Sequence, residues 1–267
     1  MNNKPVLFID SGLGGIPYCV DFLKKNPREA VCYLADRINF PYGPRGKEEL
    51  SSILTALTEK LLKTVNPKIV VLACNTATIA ALVSLRRNFP QVPFVGTVPA
   101  LKPAANACNN GKIGVLGTAR TIEEIRDLRL VDETCEIYGI AAPELVEFVE
   151  RHFDKAEQNE KNEIVKKYID KFRAAGVKTI VLGCTHFLFL LEEFRCEAAP
   201  GIEVFDSLEG ITKRIEYLLD ENNGGLRAEK DSAPSRRLLL TGADGAGLFW
   251  QNLARTIGFN LSLLDEL

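Results

Sequence analysis

The stretch Ile69-Val70-Val71-Leu72-Ala73-Cys74-Asn75-Thr76 is answered 110 residues later by Thr179-Ile180-Val181-Leu182-Gly183-Cys184-Thr185-His186. Each is a β-branched apolar run, then a small residue, a cysteine and a threonine-containing loop. A short continuous apolar run reads as a strand buried on both faces, the pattern of a parallel sheet covered by helices. Two cysteines at matching strand ends suggest thiols facing each other across one cleft. That arrangement suits chemistry needing a base on one side of a carbon and an acid on the other.

The flanking pattern is strand alternating with helix, which indicates an α/β fold with largely parallel pairing. Val6 to Ile9 reads as a strand, followed by the turn Ser11-Gly12-Leu13-Gly14-Gly15 and a helix to about Lys25. A second strand, Ala30 to Ala35, ends at Asp36, before the turn Asn39-Phe40-Pro41-Tyr42-Gly43-Pro44. A helix from Lys47 to Val65, the Cys74 strand, a helix through about Arg87 and a short strand from Pro93 to Gly96 follow. The order then begins again. A strand from Lys112 to Leu116 ends in Gly117-Thr118-Ala119-Arg120-Thr121, and a helix and a strand near Glu136 to Ile140 follow. A helix after Pro143, a longer one over roughly Glu157 to Ala174 and the Cys184 strand complete the repeat. Asp10 precedes Cys74 by 64 residues and Thr118 precedes Cys184 by 66. The agreement makes Asp10 and Thr118 equivalent strand ends of a duplicated unit; the competing reading is chance similarity of Val/Ile-rich strands. Beyond lie a strand near Glu203 to Phe205, a helix from about Leu208 to Leu219 and an exposed loop from Glu221 to Arg237. Arg237 to Thr241, a helix around Gly245 to Thr256 and Phe259 to Leu264 close the chain and return to the first domain.

At 267 residues, 46% apolar and 25% charged, the chain has the size and composition of a soluble globular protein. A net charge of −2 gives no reason to expect nucleic acid or a membrane surface as partner. No apolar run approaches the ~18–20 residues of a membrane span, and the N-terminus runs straight into a strand. A cytoplasmic location is therefore expected. Seven scattered cysteines argue for thiols rather than a disulfide framework, and two histidines are too few for an expected zinc site.

Ligands of open α/β sheets sit beyond the carboxyl ends of the strands, where Asp10, Ser11, Asp36, Cys74, Thr118 and Cys184 fall. Helix N-termini there would aim backbone N–H groups at an anion and favour thiolates. Either cysteine alone reads equally as a small buried hydrophobe. The pair, each followed by hydrogen-bonding side chains, favours the functional reading. Asp10 is a helix N-cap, an acceptor for an ammonium, or a base near Cys74. Asp36 is a solvated loop start or an orienting carboxylate. His186 is a core imidazole or a cation beside a thiolate. Glu150 is expected to be solvated and His152 exposed. The Gly-rich turn is neither a Walker A loop nor GxGxxG, since Pro occupies position 17.

Together, Asp10-Ser11-Gly12-Leu13-Gly14-Gly15, Asp36 with Pro41-Tyr42-Gly43, Ala73-Cys74-Asn75-Thr76-Ala77-Thr78 and Gly183-Cys184-Thr185-His186 resemble the glutamate racemases of the aspartate/glutamate racemase superfamily. Gly117-Thr118 to Thr121 and Asp206-Ser207 add weaker matches. The resemblance implies two pseudo-symmetric Rossmann-like α/β domains with mainly parallel sheets and the active site in the cleft between them. The domains would be 1–98 plus 208–267, and 99–207. It implies a cofactor-independent two-base mechanism in which Cys74 takes the α-proton of D-glutamate and Cys184 reprotonates the opposite face. Asp10 and Asp36 would assist Cys74; His186 and Glu150 would assist Cys184. Ser11, Pro41, Tyr42, Gly43, Asn75, Thr76, Thr118, Thr121 and Thr185 would hold the substrate. The implied role is supply of D-glutamate for peptidoglycan, by an enzyme that takes glutamate as its small-molecule partner and could form a homodimer. Aspartate as substrate, or a non-catalytic amino-acid-binding protein on this scaffold, are the alternatives. The chain departs from the family pattern at Gly96-Thr97-Val98-Pro99, at Phe187-Leu188 and after Asp206-Ser207, without losing a catalytic residue.

Overall fold

The computed structural model describes residues 3–108, 111–127, 135–220, 225–229, 234–242 and 247–266. Parts of the expected 221–237 loop and the start of the expected helix at Gly245 lie outside the described residues. The chain divides into two compact units, residues 1–97 with 208–267, and residues 98–207.

The first unit is built on a six-stranded parallel sheet. Its strands, numbered in chain order, are β1 (Val6–Asp10), β2 (Val31–Ala35), β3 (Ile69–Leu72), β4 (Phe94–Gly96), β9 (Arg236–Leu240) and β10 (Asn260–Leu263), in the spatial order β10-β9-β2-β1-β3-β4. Every residue of β1, β2 and β3 is buried, as their unbroken apolar runs require. Helices α1 (Ile16–Lys25), α2 (Lys47–Thr64), α3 (Asn75–Asn88), α9 (Leu208–Asp220) and α10 (Leu248–Ile257) belong to this unit. In α2, Leu50, Leu54 and Leu61 recur at helical spacing and enter one core with Leu7, Ile9, Val70 and Leu72. Truncating a side chain such as the fully buried Leu54 to alanine costs about 2–5 kcal/mol. The C-terminal segment is tied back by long-range bonds. Thr212 Oγ1 donates to Asp21 Oδ2 at 2.7 Å, and Asn26 Nδ2 donates to Glu216 Oε1 at 2.9 Å.

The second unit holds a four-stranded parallel sheet of β5 (Lys112–Gly117), β6 (Glu136–Ala141), β7 (Thr179–Gly183) and β8 (Glu203–Phe205), in the order β6-β5-β7-β8. Its helices are α4 (Leu101–Cys108), α5 (Ala119–Asp127), α6 (Pro143–Arg151), α7 (Gln158–Ala174) and α8 (Leu191–Ala198). A capping box of Glu157 and Glu160 starts α7. Two helices, α4 and α8, and a 3₁₀ segment at Thr185–Leu190 go beyond the sequence reading. Pro103 hid the first of these, although proline is tolerated in a first helical turn.

The order β6-β5-β7-β8 repeats β2-β1-β3-β4, so the two units share one topology. Their registers refine the expected correspondence. Asp36 N–H donates to Asp10 O, and Ala142 N–H donates to Gly117 O. Asp10 therefore corresponds to Gly117 rather than to Thr118, and Asp36 corresponds to Ala142.

Candidate active site

In the first unit, Cys74 leaves β3 in an extended conformation (φ −143°, ψ 126°) and is the N-cap of α3. The approach is tight: a Cβ on Gly15 would stand 2.5 Å from Ala73 Cβ, so the Gly-rich turn can close against the residue before Cys74 only with glycine there. Tyr33 fixes that turn, its hydroxyl donating to Gly12 O at 2.8 Å and accepting from Gly15 N–H at 3.1 Å. Asp10, fully buried, accepts Gly12 N–H on Oδ1 at 2.7 Å, so it braces the turn and does not cap α1, whose N-cap is Gly15. Ser11, Asn75 and Thr76 are buried beside these groups in the chain.

Asp36 is fully buried at the end of β2, so it is not a solvated loop start. Its Oδ2 accepts from the Tyr42 hydroxyl at 2.8 Å and from Asn39 Nδ2 at 2.8 Å. Its Oδ1 accepts from Thr241 Oγ1 at 2.8 Å and from Asn39 Nδ2 at 3.1 Å. Thr241 had no signal in the local sequence, because its partner lies 205 residues away. Burial, then the charge and hydrogen bond of Asp36, then the nearby Cys74 and Asp10, hold the Tyr42 phenol well above its usual range. Tyr42 is thus a fixed hydrogen-bond donor. Pro41 is exposed and Gly43 half-buried on the same turn.

In the second unit, Cys184 follows β7, is buried, and is the N-cap of the 3₁₀ segment at Thr185–Leu190. Its Sγ lies 3.8 Å from His186 Nδ1, and His186 Nε2 lies 2.7 Å from Glu150 Oε1 on α6. Glu150 is not solvated as expected, since its side chain is only 4% exposed. The inner face of α6, which also buries Leu145 and Val149, brings the carboxylate to the imidazole. Burial opposes the charged imidazole, but hydrogen bonds to Cys184 and Glu150 and their charges outweigh it, and His186 is held well above its usual range. Thr118 starts α5: Thr121 N–H donates to its hydroxyl at 3.2 Å, and the two hydroxyls lie 3.0 Å apart. Thr185 is buried between Cys184 and His186, while His152 is exposed.

Cys19 and Cys32 are packed in the interior of the first unit. Burial pushes Cys32 up to about 12 and Cys19 well above its usual range, so both are inert packing thiols. All seven cysteines are free thiols. Among the described residues, no group of three or more His, Cys, Asp or Glu side chains could hold a metal ion, and no helix is long and apolar enough to cross a membrane.

Residues 24–214 match the family model described as Asp/Glu/Hydantoin racemase. A glutamate racemase of Corynebacterium diphtheriae is 35% identical over 269 aligned positions, which cover 100% of this chain and 98% of that relative. A second, from Roseiflexus, is 36% identical over 82% of this chain and 80% of its own length. Among solved structures, Escherichia coli glutamate racemase in complex with L-glutamate and the activator UDP-MurNAc-ala aligns with a TM-score of 0.84. It is 26% identical, and the alignment covers 97% of both chains. The chain belongs to the Asp/Glu/Hydantoin racemase family, on its glutamate racemase branch.

Proposed function

We propose that this racemase interconverts L- and D-glutamate without a cofactor, by two-base proton transfer between Cys74 and Cys184, and supplies D-glutamate for peptidoglycan synthesis in the cytoplasm. The observation that carries the reading is the pair of strand-end cysteines, Cys184 beside His186 and Cys74 in the unit whose neighbouring strands end in the buried Asp10 and Asp36. The glutamate racemases that resemble the chain over its length supply the substrate.

The α-proton of an amino acid is very weakly acidic, because the adjacent carboxylate is already anionic. Its removal needs a positioned base, and the developing carbanion needs preorganised donors away from water. From D-glutamate, the Cys74 thiolate takes the α-proton and becomes a thiol, leaving a planar carbanion. The Cys184 thiol then gives its proton to the opposite face and becomes a thiolate. L-glutamate runs the same steps in reverse, so no electron acceptor is required. A charged His186, held by Glu150, attracts the anionic form of Cys184. Asp10 and Asp36 hold the donors around Cys74, and the hydroxyls of Ser11, Tyr42, Thr76, Thr118, Thr121 and Thr185, with Asn75 and the Pro41–Gly43 turn, receive the substrate's carboxylates and ammonium.

The test is incubation with L-glutamate in D₂O without added cofactor, following optical rotation and α-deuterium. Loss of rotation with α-deuteration supports the reading; retained rotation and no deuterium overturns it. Faster turnover of L-aspartate in a parallel reaction would overturn the choice of substrate.

A further inference from the structure

Resting on that reading, we propose that Thr241 is a positioning residue for the Cys74 half of the reaction, acting through Asp36 and Tyr42. Thr241 is contributed by the C-terminal segment, directly after β9, and is 5% exposed. Its backbone N–H donates to Ala35 O at 3.2 Å, which pins it beside the end of β2. Its hydroxyl then works in two directions. It accepts Ile38 N–H at 3.0 Å and donates to Asp36 Oδ1 at 2.8 Å. One side chain therefore ties the Arg37–Asn39 turn and the Asp36 carboxylate to a single strand end.

The consequence runs through the other carboxylate oxygen. With Oδ1 held by Thr241 and Asn39, Oδ2 is directed at the Tyr42 hydroxyl, and Tyr42 is a donor that lies in the field of Cys74 and Asp10. Without the Thr241 hydroxyl, Oδ1 loses a donor and Ile38 N–H loses its acceptor inside the protein. A carboxylate in that state rotates to find other partners, and Tyr42 moves with it.

The experiment compares Thr241→Val and Thr241→Ser with the native protein, using α-protonated and α-deuterated D- and L-glutamate. A racemase has an equilibrium constant of one, so any loss in kcat/KM must be equal in both directions. The isotope effects need not be equal. In the D-to-L direction the deuteron is removed by Cys74. Slowing that step raises the isotope effect on kcat/KM with D-glutamate and lowers it with L-glutamate. We expect Thr241→Val to lower kcat/KM roughly tenfold, the scale of one lost hydrogen bond to a charged group, with this opposed pair of isotope changes. Thr241→Ser is expected to restore both. If the valine variant does not fold, Thr241→Ala, which leaves room for a water, is read in its place with the same expectations. Native kcat/KM in the folded variant, or a lower value with unchanged isotope effects, overturns the proposal. Failure of the native protein to racemise glutamate would instead overturn the functional reading beneath it.

Discussion

The two units share one four-strand order and place a cysteine after the third strand of each, yet the side chains at the neighbouring strand ends differ in charge. In the first unit, Asp10 and Asp36 end adjacent strands and are joined by Asp36 N–H to Asp10 O. In the second, the residues at those register positions are Gly117 and Ala142, joined by the equivalent bond. The second unit thus lacks carboxylates where the first has two. It places Glu150 one helix further along and adds His186 two residues after its cysteine, where the first unit has Thr76. The two units share the backbone course that leads to each cysteine, while the polar side chains at the neighbouring strand ends and loops differ.

The largest effect is expected at the sulfurs themselves. Cys74→Ala and Cys184→Ala should each lower racemisation in both directions by about 10²–10⁴-fold or more, the contribution of a positioned acid–base group. Near-native turnover by either variant would break the idea of two equivalent bases. Cys32→Ala, which removes a packing thiol, should leave turnover largely unchanged.

The units also differ in how deeply they bury an ion pair. Before β2, the buried Glu29 carboxylate meets Lys68 Nζ at 2.5 Å, with side chains 4% and 1% exposed, and also accepts Ala228 N–H at 3.1 Å. The second unit has a Lys112–Glu136 pair instead, at 3.7 Å with side chains 41% and 63% exposed. Lys68→Met strands a buried carboxylate and should cost about 3–5 kcal/mol in a denaturant melt. Lys112→Met should cost at most about 1 kcal/mol. Equal costs would contradict the contrast.

Partner substitutions should separate the two half-sites kinetically. Asp36→Asn and His186→Asn are each expected to lower kcat/KM about 10–100-fold, the scale of a lost charge-assisted hydrogen bond. Asp36→Asn should raise the α-deuterium isotope effect with D-glutamate, and His186→Asn should raise it with L-glutamate. The same direction of change in both variants would show that the partners do not serve separate sulfurs.

A smaller effect should appear in stability against pH. Because His186 is held above its usual range, its charged form contributes stability that is fully present below about pH 6.5, its unfolded value. That contribution is lost as pH rises through the higher folded value. His186→Gln should flatten this decline in thermal melts taken upward from neutral pH. An unchanged slope would mean that the imidazole is neutral in the folded protein.

The parts of the site that were legible in the sequence are those fixed by local pattern. Strand-end cysteines, Asp10 and Asp36 follow directly from apolar runs and their punctuation. The local sequence around Glu150 predicts a solvated helix face, because the imidazole it meets comes from a loop 36 residues away. Thr241 carried no local signal for the same reason, at a separation of 205 residues. The helix α8 was readable in principle: Leu191, Phe194 and Ala198 recur at helical spacing.

The central claim, two opposed bases on one carbon, is tested most directly by the place where solvent deuterium first appears. L-glutamate is racemised in D₂O, and the two enantiomers are separated at low conversion. Two bases predict D-glutamate carrying α-deuterium while the remaining L-glutamate keeps its α-proton. Deuterium appearing equally in both enantiomers, or D-glutamate that retains the substrate proton, would contradict it.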